Sequence, residues 1–129
     1  MLQHKHLLLR AKIKHAPNEY EILTTEKWLK EFVKANNMQL EIEPRASYVF
    51  DKGNKGMTCC CLIKTSHIAF HIWDEKNPPL LQFDFYTCGD LNVYKTMKLI
   101  DEKFGLLSYD SLLLNREKSL DILSMDISK

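Results

Sequence analysis

From Gly56 to Glu75 the chain reads GMTCCCLIKTSHIAFHIWDE, a strand-forming apolar run that also concentrates nucleophiles and acid-base groups. The hydroxyls of Thr58, Thr65 and Ser66 can attack or hydrogen-bond a reacting group, and the imidazoles of His67 and His71 can exchange protons near neutral pH. Cys59, Cys60 and Cys61 are consecutive, so on a strand their side chains alternate between faces and cannot close a four-ligand metal cluster. They read as small apolar strand residues. Cys88, in YTCGD just before a helical pattern, differs: partial exposure and a helix N-terminus favour thiolate there. His67 reads as structural. His4, His6 and His15 read as surface residues without metal-binding spacing, and no metal is expected.

These side chains need a scaffold. Leu7, Leu9, Ala11 and Ile13 alternate with Leu8, Arg10, Lys12 and Lys14, which suits a half-buried first strand. Thr25 is placed to cap a helix running to about Asn37, with Trp28, Leu29, Phe32 and Val33 as its apolar stripe. Met38, Leu40 and Ile42 alternate until Pro44 interrupts, and Ser47 to Phe50 resume an edge or bent strand. Strands follow at Met57 to Ile63, Ile68 to Trp73 and Leu80 to Tyr86, joined by short turns. A second helix opens near Asp90, aligns Val93, Met97, Ile100 and Phe104, and stops at Gly105. From Leu112 to Lys129 the pattern fits either a short strand with a helix or a frayed tail.

The result is one α+β domain over residues 1–129, a two-layer sandwich with a mostly antiparallel sheet and helices on one face. Met57, Leu62, Ile68, Phe70, Phe83 and Phe85 leave little of the central sheet polar, so the bare face calls for a second copy, giving an α/β/β/α homodimer. If Met57 to Ile63 and Ile68 to Trp73 form a hairpin turning near Thr65, Thr58 falls opposite His71 and Ile72. A net charge of +1 without a long basic block argues against nucleic acid, and no apolar run is long enough to cross a bilayer. A soluble, cytoplasmic protein with a small-molecule or protein partner is expected.

GMT at Gly56 to Thr58, SHIAFH at Ser66 to His71, Glu75, and YTCGD at Tyr86 to Asp90 resemble, in order and spacing, the small prokaryotic pyruvoyl-dependent S-adenosylmethionine decarboxylases. The resemblance implies that the chain cuts itself between Thr65 and Ser66, giving chains 1–65 and 66–129. Ser66 would become a pyruvoyl cofactor that forms a Schiff base with the substrate amine. Thr58 and His71 would assist processing, Cys88 would return a proton after carbon dioxide leaves, Glu75 would bind the ribose hydroxyls, and Phe50 would stack on adenine. The products would be carbon dioxide and the aminopropyl donor for spermidine.

Thr65 stands where the family usually has Glu, and IWDE replaces its usual Thr-aromatic-Pro-Glu. A pyruvoyl decarboxylase of arginine or ornithine, or an unprocessed regulatory relative, are the alternatives. Ser66 and His71 are five residues apart, so on a straight strand they face opposite ways. Either the chain bends at Lys64 to Ser66, or two copies share each site. In the shared arrangement one copy supplies Ser66 and Cys88 and the other Thr58, His71, Glu75 and Phe50, as the family's interface sites imply.

Overall fold

Strand β1 (Lys5–Ile13) buries Leu7, Leu9, Ala11 and Ile13 on one face and leaves Leu8, Arg10 and Lys12 on the other. In the computed structural model, which describes residues 3–127, it lies inside a seven-stranded, wholly antiparallel sheet. The chain continues through α1 (Ile22–Ala35), β2 (Leu40–Val49), β3 (Gly56–Ile63), β4 (Ser66–Trp73), β5 (Leu80–Thr87), α2 (Val93–Phe104), β6 (Leu106–Asn115) and β7 (Asp121–Asp126). The strand order is β2-β3-β4-β5-β1-β6-β7, so β1 is inserted between β5 and β6.

Both helices pack on one face, as an α+β two-layer sandwich requires. Trp28 and Phe32 of α1 and Phe104 of α2 meet Phe70 and Phe83 of the sheet, with Trp28 5.1 Å from Phe104 and the Phe70 and Phe83 rings stacked at 5.4 Å. Burying each of the four phenylalanine rings contributes roughly 1.5–3 kcal/mol, enough to fix the central strands as a rigid floor.

Several expected boundaries move. Helix α1 begins at Ile22, and Thr25 is no cap: it is buried, with its hydroxyl donating to the Glu21 carbonyl one turn back. Helix α2 begins at Val93 rather than Asp90, because the Asn92 side chain accepts from Lys95 N at 3.0 Å, and Gly105 ends it at φ +69°. Pro44 does not interrupt β2. The strand lies on the sheet edge, and register shifts between Leu40 and Arg45 absorb the missing donor. The C-terminal stretch is neither a strand with a helix nor a frayed tail, since β6 and β7 form a hairpin on β1.

The outer face also differs from the apolar one expected. Met57, Ile68, Phe70, Phe83 and Phe85 are all buried in the layer between sheet and helices, and of that set Leu62 alone points outward. The outer face is mixed. Its rows run Thr58, His71, Gln82, Arg10, Asp110, then Cys60, Ala69, Asp84, Leu8, Leu112, then Leu62, His67, Tyr86, His6, Leu114.

Gly56 starts β3 at φ +150°, where a Cβ would lie 1.7 Å from the Ile72 carbonyl oxygen of the paired strand. Backbone cannot yield there as a flexible side chain would. Gly56→Ala is expected to cost at least about 3 kcal/mol in denaturant unfolding. A loss below about 1 kcal/mol would show that the hairpin end reshapes freely.

Candidate active site

The hairpin joining β3 to β4 turns on Lys64 and Thr65. Thr65 adopts φ +60°, a left-handed conformation that a β-branched residue takes at a cost of about 1–3 kcal/mol. Strain therefore sits beside the Thr65–Ser66 peptide bond. Ser66 opens β4 on the buried face, and its Oγ accepts from Cys88 N at 3.1 Å and lies 3.8 Å from Cys88 Sγ. Cys88 follows the last residue of β5, which is why strand pairing delivers it to this end of the sheet.

The Thr65 hydroxyl lies 2.6 Å from the Lys64 carbonyl oxygen and 2.6 Å from Cys88 Sγ. Its single proton can serve one of them at a time, and a thiolate draws it more strongly than a carbonyl does. Hydrogen bonds from Thr65 first, and from Ser66, accordingly hold the Cys88 thiol below its usual value, against a weaker upward push from burial. Thr65→Val is expected to move the alkylation of Cys88 to higher pH, because thiolate loses its better donor. An unchanged midpoint would remove Thr65 from that role.

Thr58 and His71 are direct partners across β3 and β4, with Thr58 Oγ1 3.0 Å from His71 Nδ1. The loop before β3 is tied to the end of β4 and the residues after it. Glu75 Oε2 accepts from Gly53 N at 2.7 Å, Trp73 Nε1 donates to Asn54 at 3.2 Å, and the Asp74 carboxylate holds the Tyr48 hydroxyl, raising Tyr48 to about 12. Phe50 is 63% exposed, its ring 4.9 Å from Tyr48. An open groove of about 400 Å³ begins at His71 and crosses the outer face past Ala69, Gln82 and Asp84 to Leu8 and Arg10.

The seven candidate residues thus form two clusters. Thr65, Ser66 and Cys88 meet at one end of the sheet, while Thr58, His71, Glu75 and Phe50 gather at the other. The chain turns at Lys64 and Thr65, yet β4 runs unbroken from Ser66 to Trp73 with Ser66 on the buried face and His71 on the outer one, so the turn does not bring them together, and five residues of strand separate them by about 16 Å. Of the cysteine triplet, Cys59 and Cys61 are buried and burial pushes both thiols up to about 12, whereas Cys60 is exposed.

Sequence reading missed a third cluster. His4 and His6 are half-buried rather than surface residues, although His15 is exposed. His6, His67 and Asp84 bring potential ligand atoms within 4.8 Å of one another, a grouping hidden by their distance in sequence. Arg116, which can only donate, lies 3.2 Å from His6 Nδ1, so the His6 proton sits on Nε2 and points at Asp84. His67 Nε2 lies 3.4 Å from the same Asp84 oxygen. The cluster is thereby satisfied by hydrogen bonds. Burial would raise the Asp84 carboxyl, but His6 and His67 together outweigh it and hold it below the usual range. The signal available was parity: His6, His67 and Asp84 all occupy outward positions of their strands.

Among the described residues, no helix is long and apolar enough to cross a membrane. The fold is shared with the adenosylmethionine decarboxylase of Aquifex aeolicus, with a TM-score of 0.67 and 21% identity over 99% of this chain and 98% of that one. Curated relatives include S-adenosylmethionine decarboxylase proenzymes of Archaeoglobus fulgidus, 42% identical over 62 residues, and Pyrococcus furiosus, 36% identical over 75. These matches take in 47% and 57% of this chain and 54% and 50% of those proteins. The chain thus spans about half the length of the curated relatives it matches. The family model for S-adenosylmethionine decarboxylase matches residues 13–117, a span holding the strained Thr65–Ser66 bond, Cys88 and the Thr58–His71 pair, and the chain belongs to that family.

Proposed function

We propose that this chain is a self-processing, pyruvoyl-dependent decarboxylase of S-adenosylmethionine that works as a homodimer in the cytoplasm. The observation that carries the reading is the Thr65–Ser66 bond, strained on one side and with its hydroxyl nucleophile held on the other by Cys88 N.

The residues fit the pyruvoyl group because Ser66 can generate it. Ser66 Oγ attacks the Thr65 carbonyl carbon, the amide C–N bond breaks, and an ester replaces it. A base then takes the Ser66 α-proton, the Cβ–Oγ bond breaks, and Thr65 leaves as a carboxylate carrying that oxygen. Water hydrolyses the remaining enamine-imine, ammonia departs, and residue 66 is left as a ketone ending chain 66–129. That ketone supplies the electron sink that side chains lack for decarboxylation.

His71 suits the base, with Thr58 fixing its Nδ1 and so aiming Nε2. Because it lies far from Ser66 within one protomer, on this reading it comes from a second copy. Outward Leu8 and Leu62, both exposed, and half-buried Leu112 and Leu114 give the outer face apolar surface for that copy to cover. Glu75 keeps one carboxylate oxygen available beyond its bond to Gly53, suiting a ribose diol, and exposed Phe50 offers a flat face to adenine. Cys88 returns a proton to the substrate carbon once carbon dioxide has left, giving the aminopropyl donor used for spermidine.

Intact mass under denaturing conditions tests the core of this. Two fragments divided between Thr65 and Ser66, the later one reducible by borohydride, are expected. A single full-length mass after long incubation would exclude self-processing and favour an unprocessed regulatory role.

A further inference from the structure

Conversion of residue 66 removes its side-chain ties and leaves only its place in the ladder beside Ile63. Both side-chain contacts of Ser66 run through Oγ, to Cys88 N and Cys88 Sγ, and that oxygen departs with the Thr65 carboxylate. The peptide bond to Thr65 goes as well. The first side chain of the new chain with a tertiary anchor is then His67.

That anchor is the third cluster. His67 Nε2 lies 3.4 Å from Asp84 Oδ1, and its ring lies 5.5 Å from Tyr86, its partner across β4 and β5. Asp84 is held from the far side by His6, and His6 by Arg116. Arg116 also covers the Tyr86 ring at 4.6 Å, while its backbone N–H donates to the His4 carbonyl at 2.8 Å. Strands β4, β5 and β1 and the chain following β6 therefore converge on the residue next to the reactive group.

We propose that Asp84 is a positioning residue which, through His67, holds the chain end carrying the reactive ketone. The inference rests on the self-processing reading above. Asp84 needs no contact with substrate for this, and the ladder of β4 alone leaves a terminal residue free to fray. A misplacement near 1 Å at the reacting group can cost about 100-fold in rate.

The test compares Asp84→Ala, His67→Ala and His67→Gln in the full chain. Gln keeps a side-chain N–H able to reach the carboxylate. Turnover is expressed per borohydride-reducible ketone, which counts processed sites alone, with oligomeric state followed by sedimentation. Both alanine variants are expected to cleave fully, keep KM within about threefold and lose about 10- to 100-fold in kcat, with His67→Gln recovering most of it. Wild-type kcat per ketone in both alanine variants overturns the proposal, as does loss of activity that tracks dissociation of the oligomer. If Asp84→Ala is insoluble, the contrast between His67→Ala and His67→Gln decides alone. A wild-type chain that never cleaves instead overturns the function on which the proposal rests.

Discussion

Replacing Ser66 with alanine is expected to leave the chain whole and to abolish decarboxylation. Alanine lacks the oxygen that would attack the Thr65 carbonyl in the proposed cleavage, and it lacks the leaving group whose loss would create the ketone. The fold should survive, because Ser66 is small and lies at a strand end, and the cost is about 1 kcal/mol for the lost bond from Cys88 N. Thr65 keeps its left-handed conformation in this variant, so the experiment separates strain from chemistry. Mass spectrometry of matched incubations gives the readout. Fragments ending at Thr65 in Ser66→Ala would mean that strain with water suffices, and the nucleophile would have to be sought elsewhere.

Cys88→Ala is expected to dissociate the two activities. The group that orients Ser66 Oγ is the backbone N–H of residue 88, which alanine retains, so the chain should still cut itself. Turnover per ketone should fall by about 10²- to 10⁴-fold, the usual contribution of a positioned proton donor. In the proposed role the thiol would have to be protonated to act, so turnover is expected to fall as pH rises through its pKa. In the uncut chain the Thr65 and Ser66 hydroxyls lower that pKa. Conversion would remove the Ser66 hydroxyl, so the alkaline limb of the turnover profile is expected at higher pH than thiol titration in the uncut chain. A Cys88→Ala enzyme within about threefold of the parent would show that another group delivers the proton.

Much of this arrangement is legible in sequence because it is local. The hairpin of β3 and β4 turns at Thr65, so placing Thr58 opposite His71 needs only arithmetic and period-two alternation. Parity likewise separates Ser66 from His71 before any coordinates are known. Other features depend on partners far along the chain. Residues 78 apart, His6 and Asp84, meet because β1 inserts beside β5, and no spacing rule announces that insertion. Strand β7 escaped because every one of its residues is exposed, so no buried face imposes alternation on it. Pro44 misled because edge position and bulging, both tertiary facts, decide whether a proline ends a strand.

The insertion of β1 between β5 and β6 bears on what a cut at Thr65 would leave behind. Fragment 1–65 would own β1, β2 and β3, and fragment 66–129 the remaining strands, so the β3–β4, β5–β1 and β1–β6 pairings would all join separate chains. Neither fragment could be peeled from an edge, because one strand of the first is threaded through the middle of the second. The two pieces would stay associated while folded. Once unfolded, however, it would have to find its other half by collision, so its refolding yield would fall on dilution while that of Ser66→Ala would not.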